Sequence, residues 1–477
     1  MSGTLLFINK KKQNIQNFTS KIEQLKKYTK KLFDEYFNFI VYHKLNHNSF
    51  LIEFRQDRRE KFCIDQQGNW LTYEGTVFAL DATKTYNADE LLNLYQKVGE
   101  DKFSNKLDGH FVIKIYDAKQ DKYLIINDFI KYKTNFICET DNFIMFTPFL
   151  IATGIIKKPE LDLYAFNEFM WRYYILSERS MLKDVKRLSP ATIYCYQNKR
   201  LDKKTYWEWT HRFTDLTFKA CVEKTVESMK ESARLINKSF KKPCIDFTMG
   251  QDSRQVVSAF TNQKLPFVSM IYGKSNFYEV KNVKKMAEKF NFENKNIQLV
   301  SNFLNHIEDY FEKAIVIGNC EEPGYMLGRI LHMREQYKEF GDVSMGGNVG
   351  YFYKNGLWDE MYTFNFYREP KKFNIDMFLK LRALSKNYYD KIFTPNYLKI
   401  KNESKEYFKQ IIKNSIKDYL KSTVSIQVDR FSLYHWLNFS VAGDNAINTI
   451  FNSISVLLLR RNLEFAIQIP VKWKFNL

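Results

Sequence analysis

Pro243-Cys244-Ile245-Asp246-Phe247-Thr248-Met249-Gly250-Gln251-Asp252-Ser253 is the stretch on which the fold turns. A short apolar run reads as a buried strand, Thr248 to Asp252 as a turn, and Ser253 to Phe260 as a helix. Phe267 to Tyr272 repeats the strand and Tyr278 to Phe290 the helix, while Phe218 to Phe240 upstream carries apolar residues at helical spacing. Strand, helix, strand, helix at this spacing predicts a doubly wound parallel sheet. Residues 340 to 350 add a strand and a Gly-Gly turn, and the remainder is mainly helical to about residue 466.

At a strand-to-helix turn the backbone N–H groups and the helix dipole face an anion. Gly250 allows close approach of a ligand to the backbone. The hydroxyls of Thr248 and Ser253 can donate to phosphate oxygens, and Asp252 can hold a bridging magnesium ion. No Gly-Lys-Ser/Thr follows, so this is not the common P-loop. The same residues also suit an ordinary turn with Ser or Asp as a helix cap. Residue types alone leave both readings open.

The first half has a different texture. Up to about residue 206, β-branched and aromatic runs recur between Asp-Gly and Asp-Asn turns: Phe111 to Tyr116, Tyr123 to Ile126, Phe143 to Phe146 and Thr192 to Tyr196. This is a sheet-rich pattern. One helix is expected in it, Ala88 to Val98, with Asn87 as cap.

The chain of 477 residues is 45% hydrophobic and 27% charged, which excludes disorder and suits two or three domains. Lys and Arg number 73 against 54 Asp and Glu, a net charge of +19 that favours an anionic partner: nucleic acid, an acidic membrane face, or a nucleotide. The basic residues are scattered doublets and triplets such as Lys30-Lys31 and Arg460-Arg461. With no zinc-finger spacing or ribonucleoprotein motif beside them, they read as solvated faces and argue against nucleic acid. Six dispersed cysteines form no C-x-x-C pair, which points to free thiols in a reducing compartment. The N-terminus is an apolar strand rather than a signal peptide, and Phe143 to Ile156 is too short to span a bilayer. A cytoplasmic protein without a membrane span is the expectation.

Thr248 to Ser253 resembles the Ser-Gly-Gly-x-Asp-Ser pyrophosphatase loop of the asparagine synthetase-like amide ligases, with Thr for the first Ser and Met249 for a Gly. Other stretches agree in order. Leu107 to Asp117 resembles the family's Gly-x-Phe-Ala-x-x-x-Tyr-Asp strand, and Asn127-Asp128 stands at its Arg-Asp. Leu188-Ser189-Pro190 and Tyr206-Trp207 resemble its hinge. Tyr272-Gly273 with Glu279 and Ala287 resembles its second nucleotide-contacting strand and helix, and Phe465 to Pro470 with Lys474 its late segment. Each motif is loose; the ordered set is specific, and it covers nearly the whole chain.

The resemblance implies an α+β class II glutamine amidotransferase-like domain at 1–210, an Ntn-hydrolase-like sandwich of antiparallel sheets. An α/β ATP-pyrophosphatase domain with a helical C-terminal part follows at 211–477. It also implies ATP and Mg2+ as cofactors, with Thr248, Gly250, Asp252 and Ser253 at the pyrophosphate, Asp252 on the metal, and Tyr272, Gly273, Gly346 and Gly347 lining the nucleotide. A small-molecule or peptide carboxylate would be adenylated and passed to an amine or ammonia.

The departures set limits. Ser2 stands at the position of the family's nucleophilic Cys, a vestigial catalytic residue, since the glutamine-binding Asn-Gly-Glu is replaced within Thr72-Tyr73-Glu74-Gly75-Thr76. Loss of both implies that glutaminase activity is absent. The third turn has Asn348 and Val349 for an Asp-Glu pair, the family's catalytic Glu falls near Ser453, and the chain stops at Leu477 before the pyrophosphate-contacting Lys. Lys472 and Lys474 are expected to be a solvated terminal pair. Two expectations therefore stand: an ATP-dependent amide ligase, or a catalytically degenerate relative with a binding or regulatory role. Val456 to Leu459 is a candidate contact surface for an oligomer or partner protein if it is not core.

Overall fold

The computed structural model describes residues 2–11, 15–173, 175–209, 212–299, 303–354, 356–383 and 390–474. The expected boundary at 210/211 and the end at Leu477 lie outside the described residues.

Strands are numbered in chain order. Two six-stranded antiparallel sheets occupy the first half. One has β1 (Ser2–Asn9), β2 (Phe39–Lys44), β3 (Ser49–Arg55), β8 (Phe136–Glu139), β9 (Phe143–Thr147) and β10 (Val185–Arg187), in the order β10-β8-β9-β1-β3-β2. The other has β4 (Phe62–Ile64), β5 (Trp70–Ala79), β6 (Leu107–Asp117), β7 (Lys122–Asn127), β11 (Thr192–Gln197) and β12 (Arg200–Thr205), in the order β12-β11-β7-β6-β5-β4.

Alternation along the strands decides the layers. Leu6, Ile8 and Leu51 of the first sheet meet Val112, Ile125 and Tyr194 of the second in one apolar cluster. Leu5, Phe7 and Ile52 face the other way, onto helix Ile15–Phe33. Leu71, Ile113 and Leu124 likewise pack on helix Ala88–Val98. The result is a helix-sheet-sheet-helix sandwich.

Helix Ala88–Val98 begins where expected, because Asn87 and Glu90 form a reciprocal capping box. Helix Ile15–Phe33 was not anticipated. Its buried stripe, Phe18, Ile22, Leu25, Thr29 and Phe33, has helical spacing, but the lysines between dilute its hydrophobicity and hide the period.

In the second half β13 (Pro243–Asp246), β14 (Val268–Tyr272), β15 (Glu293–Ile297), β16 (Val343–Gly346) and β17 (Ser453–Ser455) form a parallel sheet ordered β15-β14-β13-β16-β17. Neighbouring residues of β13 serve opposite faces. Ile245 packs with the helices Phe218–Ser239, Gln251–Thr261 and Tyr278–Phe290. Cys244 packs with Ile307–Gly318, Gly324–Glu335 and Leu437–Ile450. The doubly wound expectation holds in this sheet and its flanking helices. Helices Pro395–Ile416 and Val424–Phe431 build a separate core around Trp358, Phe408 and Phe431.

The halves meet at several places, among them β17 and the helix Arg460–Ala466 that follows it. Asp108 accepts hydrogen bonds from Arg460 N (2.6 Å) and Arg461 Nε (2.8 Å), and the His110 ring lies 3.2 Å from Ser455 O.

Two expectations are corrected. Val456 to Leu459 is at most 1% exposed and belongs to the core, so it is no contact surface. Lys474 is buried beside Asp429, not solvated; burial lowers its pKa and the Asp429 charge opposes this. All six cysteines are free thiols. Among the described residues no helix is long and apolar enough to cross a membrane.

Candidate functional site

The strand order places β13 in the middle, with the chain winding first toward β15 and then toward β17. A topological switch point therefore lies between β13 and β16, and in open α/β sheets the crevice at the carboxyl ends of two such strands takes ligands. The two turns marked in the sequence sit there. Thr248 to Ser253 follows β13 and Gly346-Gly347 ends β16. They touch: a Cβ added to Gly347 would lie 2.5 Å from Asp252 C, so the approach requires glycine.

The loop is built by its own hydroxyls. Ser253 is buried, and its Oγ donates to Thr248 O (2.9 Å) and accepts from Thr248 N (3.1 Å). Thr248 Oγ1 accepts from Gly250 N at 3.1 Å. Ser253 thus shapes the loop from within, while Thr248 and Gly250 are exposed. Gly250 is the N-cap of helix Gln251–Thr261 and no side chain caps that end. First-turn N–H groups have no partner inside a helix, so here they face the crevice with the positive end of the dipole.

Two charged side chains flank the loop. Lys354 Nζ is 2.7 Å from Asp252 Oδ1, and Glu279 Oε1 accepts from Met249 N at 3.0 Å. Gly350 lies so close to Asp252 that a Cβ there would be 2.2 Å from its Cγ. Lys354 escaped the sequence reading because it is remote in sequence from Asp252 and in no motif.

The other predicted residues divide. Gly346 is buried at the switch point, and Gly273 has φ +132°, a backbone region that favours glycine. Tyr272 faces away from the loop: its ring stacks on Tyr337 with centroids 5.9 Å apart, under the Arg334 guanidinium. Arg334 forks onto Asp246, its Nη1 2.8 Å from Oδ1, and Tyr337 Oη donates to the same carboxylate at 2.7 Å. At the third turn Asn348 Nδ2 donates to both oxygens of Asp444, 3.0 and 2.8 Å away, and Tyr132 Oη donates to Oδ2 at 3.0 Å. Asp444, on helix Leu437–Ile450, thus places a carboxylate beside the third turn, engaged by Asn348 and Tyr132. Burial raises the Asp444 pKa to about 6.

The donor set suits a magnesium ion carried by phosphates. Magnesium commonly takes one or two carboxylates plus phosphate oxygens and water, and Asp252 is the carboxylate on the loop. Among the described residues no group of three His, Cys, Asp or Glu is arranged to cage a metal.

In the sandwich, the backbone of Ser2 starts β1 opposite Arg55 of β3. Two residues on, the space between the sheets holds a closed polar network. Lys114 Nζ contacts Glu74 Oε1 (2.6 Å), Thr4 O and Oγ1 (both 2.7 Å) and Asn135 Oδ1 (3.0 Å). Thr4 Oγ1 and Asn135 Nδ2 donate in turn to Glu74, at 2.8 and 3.0 Å. All four residues are buried. Glu74, marked as a departure in the sequence, is the centre of this network.

Residues 76–207 match the glutamine amidotransferase domain family. The matched segment runs from within β5 to beyond β12 and leaves out Ser2. No curated protein matches the chain by sequence. One solved structure with some similarity is glutamine phosphoribosylpyrophosphate amidotransferase from B. subtilis complexed with ADP and GMP (9% identity, TM-score 0.23, 46% of this chain and 50% of that one). Another is described as the allosteric regulatory enzyme of purine biosynthesis (7% identity, TM-score 0.25, 52% and 66%). The chain thus spans about half to two thirds of those proteins, and likeness at this level bears on neither fold nor activity.

Proposed function

We propose that the protein is an ATP-dependent amide-forming ligase. It adenylates a small-molecule or peptide carboxylate, releasing AMP and pyrophosphate, and passes the acyl group to an amine or ammonia. The observation that carries this reading is the contact between the two predicted ATP-lining turns at the switch point: Gly347 on Asp252 beside an uncapped helix N-terminus. Bound ATP would supply the leaving pyrophosphate, and magnesium would offset its charge. The chain's own groups would bind and orient it: the first-turn N–H groups of helix Gln251–Thr261 and Thr248 Oγ1 as donors, Asp252 as metal ligand, and Lys354 as a cation for the phosphates. Preorganised donors of this kind act most where negative charge develops.

The amidotransferase-type segment fits amide nitrogen chemistry. In this proposal it is structural: Ser2 lies outside the family match, and the Lys114–Glu74 network fills the intersheet space next to β1.

A second reading, a degenerate relative with a binding or regulatory role, has its own support. Glu279 already occupies the Met249 amide, and Lys354 already neutralises Asp252. Incubation with ATP, magnesium and candidate carboxylates distinguishes the two. The ligase yields AMP and pyrophosphate with at least one acid. No AMP with any acid, and no ATP binding sensitive to Asp252→Ala, would sink the first reading. Glutamate release from glutamine, lost in Ser2→Ala, would overturn the silent amidotransferase segment.

A further inference from the structure

Phe364-Asn365-Phe366-Tyr367-Arg368-Glu369-Pro370-Lys371-Lys372 forms a surface feature that the nucleotide site does not use. Phe366 is 87% exposed and Phe364 65%, and with the half-exposed Tyr367 they gather apolar surface at one tip, the arrangement that marks an interaction site where singly exposed residues do not. Their presentation costs backbone energy. Phe366 and Tyr367 are consecutive bulky residues at φ +54° and +59°, a region that large side chains rarely enter.

The turn is nevertheless firmly tied. Tyr367 N donates to Tyr362 O at 2.7 Å, and Asn365 Nδ2 to Arg368 O and Glu369 O at 3.1 and 3.2 Å. Glu369, the acid within the turn, is engaged by Tyr362 Oη and by Val424 N (2.7 Å). Arg368, Lys371 and Lys372 are exposed and have no acidic partner among the described residues. They line a crevice of about 540 Å³ beside the rings, with Phe364 and Met377.

We propose that this tip docks the protein on a bilayer surface bearing anionic phospholipid. Tyr rings favour the headgroup level of a membrane, Phe side chains bury at the boundary between headgroups and acyl chains, and basic side chains near an anionic leaflet each strengthen partition roughly fivefold. The crevice offers three cations to a headgroup phosphate while Phe364 and Phe366 enter the interface. A single-stranded nucleic acid would instead need a groove with rings facing successive bases, whereas Phe366 stands out from the surface. The surface is independent of the ligase reading. It also uses positive charge that the nucleotide loop leaves unexplained.

The test is co-sedimentation of the full chain with vesicles of phosphatidylcholine alone and of phosphatidylcholine with phosphatidylglycerol in equal parts. Binding is expected only to the anionic vesicles. Lys371→Glu with Lys372→Glu should weaken it at least roughly twentyfold, and Phe364→Ser with Phe366→Ser should also reduce it markedly. Melting should be unchanged in both, because every altered side chain is exposed. Lys30→Glu with Lys31→Glu, a basic pair exposed elsewhere, should retain binding within roughly the effect of general charge. Equal binding to both vesicle types, no binding to either, or equal loss in the Lys30/Lys31 variant would overturn the proposal. So would polyuridylate binding that the Lys371/Lys372 variant abolishes, with no vesicle binding.

Discussion

Lys354 Nζ rests 2.7 Å from Asp252 Oδ1, across the crevice between β13 and β16. The pair is only partly buried, so its own contribution to stability is small, and its interest lies in what it neutralises. If the crevice takes ATP, Lys354 exchanges the carboxylate for phosphate oxygens, and Asp252 becomes free for magnesium. Lys354→Met is then expected to weaken ATP-magnesium binding by about tenfold to hundredfold, the range of one charge-assisted hydrogen bond. Titration calorimetry checks this, and unchanged affinity would remove Lys354 from the site.

Glu279 should act in the opposite sense. Its carboxylate holds the Met249 amide and adds negative charge at the loop that would receive pyrophosphate. Glu279→Gln keeps an acceptor for Met249 N and removes that charge. ATP should bind several-fold more tightly, by roughly 1 kcal/mol at an effective dielectric near that of a protein surface. Weaker binding would instead make Glu279 part of the machinery.

Gly347→Ala tests the contact between the turns. The new methyl would stand 2.5 Å from Asp252 C and 2.6 Å from Ser253 N, both backbone atoms. The loop must shift, and overpacking of this kind costs typically about 1–3 kcal/mol. A lowered melting temperature together with loss of ATP binding is expected. Loss of neither would mean that the turns separate freely.

How much of this was legible follows from how local each signal is. Helices Ala88–Val98 and Tyr278–Phe290 were readable to the residue, and strand-turn-helix at Pro243 to Thr261 nearly so, because cap, period and turn chemistry lie within one window. Helix Ile15–Phe33 has an equally clear period, but its lysines mask it. Lys354, Asp444 and the Lys114–Glu74 pair were not readable. Their partners come from other elements, often a hundred residues away, and such a pairing leaves no trace in spacing. For the same reason the sequence could show Glu74 as a lost motif but not as the hub of a network.

That network yields a stability prediction. Lys114 and Glu74 have side chains 0% and 2% exposed and 2.6 Å apart. Removing Lys114 leaves the buried Glu74 carboxylate without its direct ion-pair partner, held by the neutral donors of Thr4 and Asn135, so Lys114→Met should destabilise by about 3–5 kcal/mol. Lys114→Met with Glu74→Gln leaves no bare charge and should recover much of the loss. Urea unfolding of the single and double variants decides it, and a double variant no better than the single would mean that the hydrogen bonds, not the charges, dominate.

Asp444 gives a pH dependence with a definite sign. It lies at the third turn, holding Asn348 and Tyr132. Burial, the largest influence, raises its pKa from 3.8 to about 6, against the opposing effects of Asn348, Arg334 and Tyr132. A carboxyl whose folded value exceeds its unfolded one binds its proton better in the folded state. Its contribution is therefore fully present below about pH 4 and lost as the pH rises through about 6. Other buried groups bend the same curve: burial raises Asp128 and Asp429 to about 6 as well, while it lowers His110 and His435 to about 4, with the opposite slope. A single melting curve against pH cannot separate them, but a difference can. Asp444→Asn does not titrate, so its deficit in stability should be larger near pH 5 than near pH 8, narrowing by on the order of 1–3 kcal/mol. Thermal melting of both proteins at the two pH values measures that difference. A deficit that stays constant would mean that Asp444 is ionised in the folded protein across the range, as it would be if Arg334 and the hydrogen-bond donors outweighed burial.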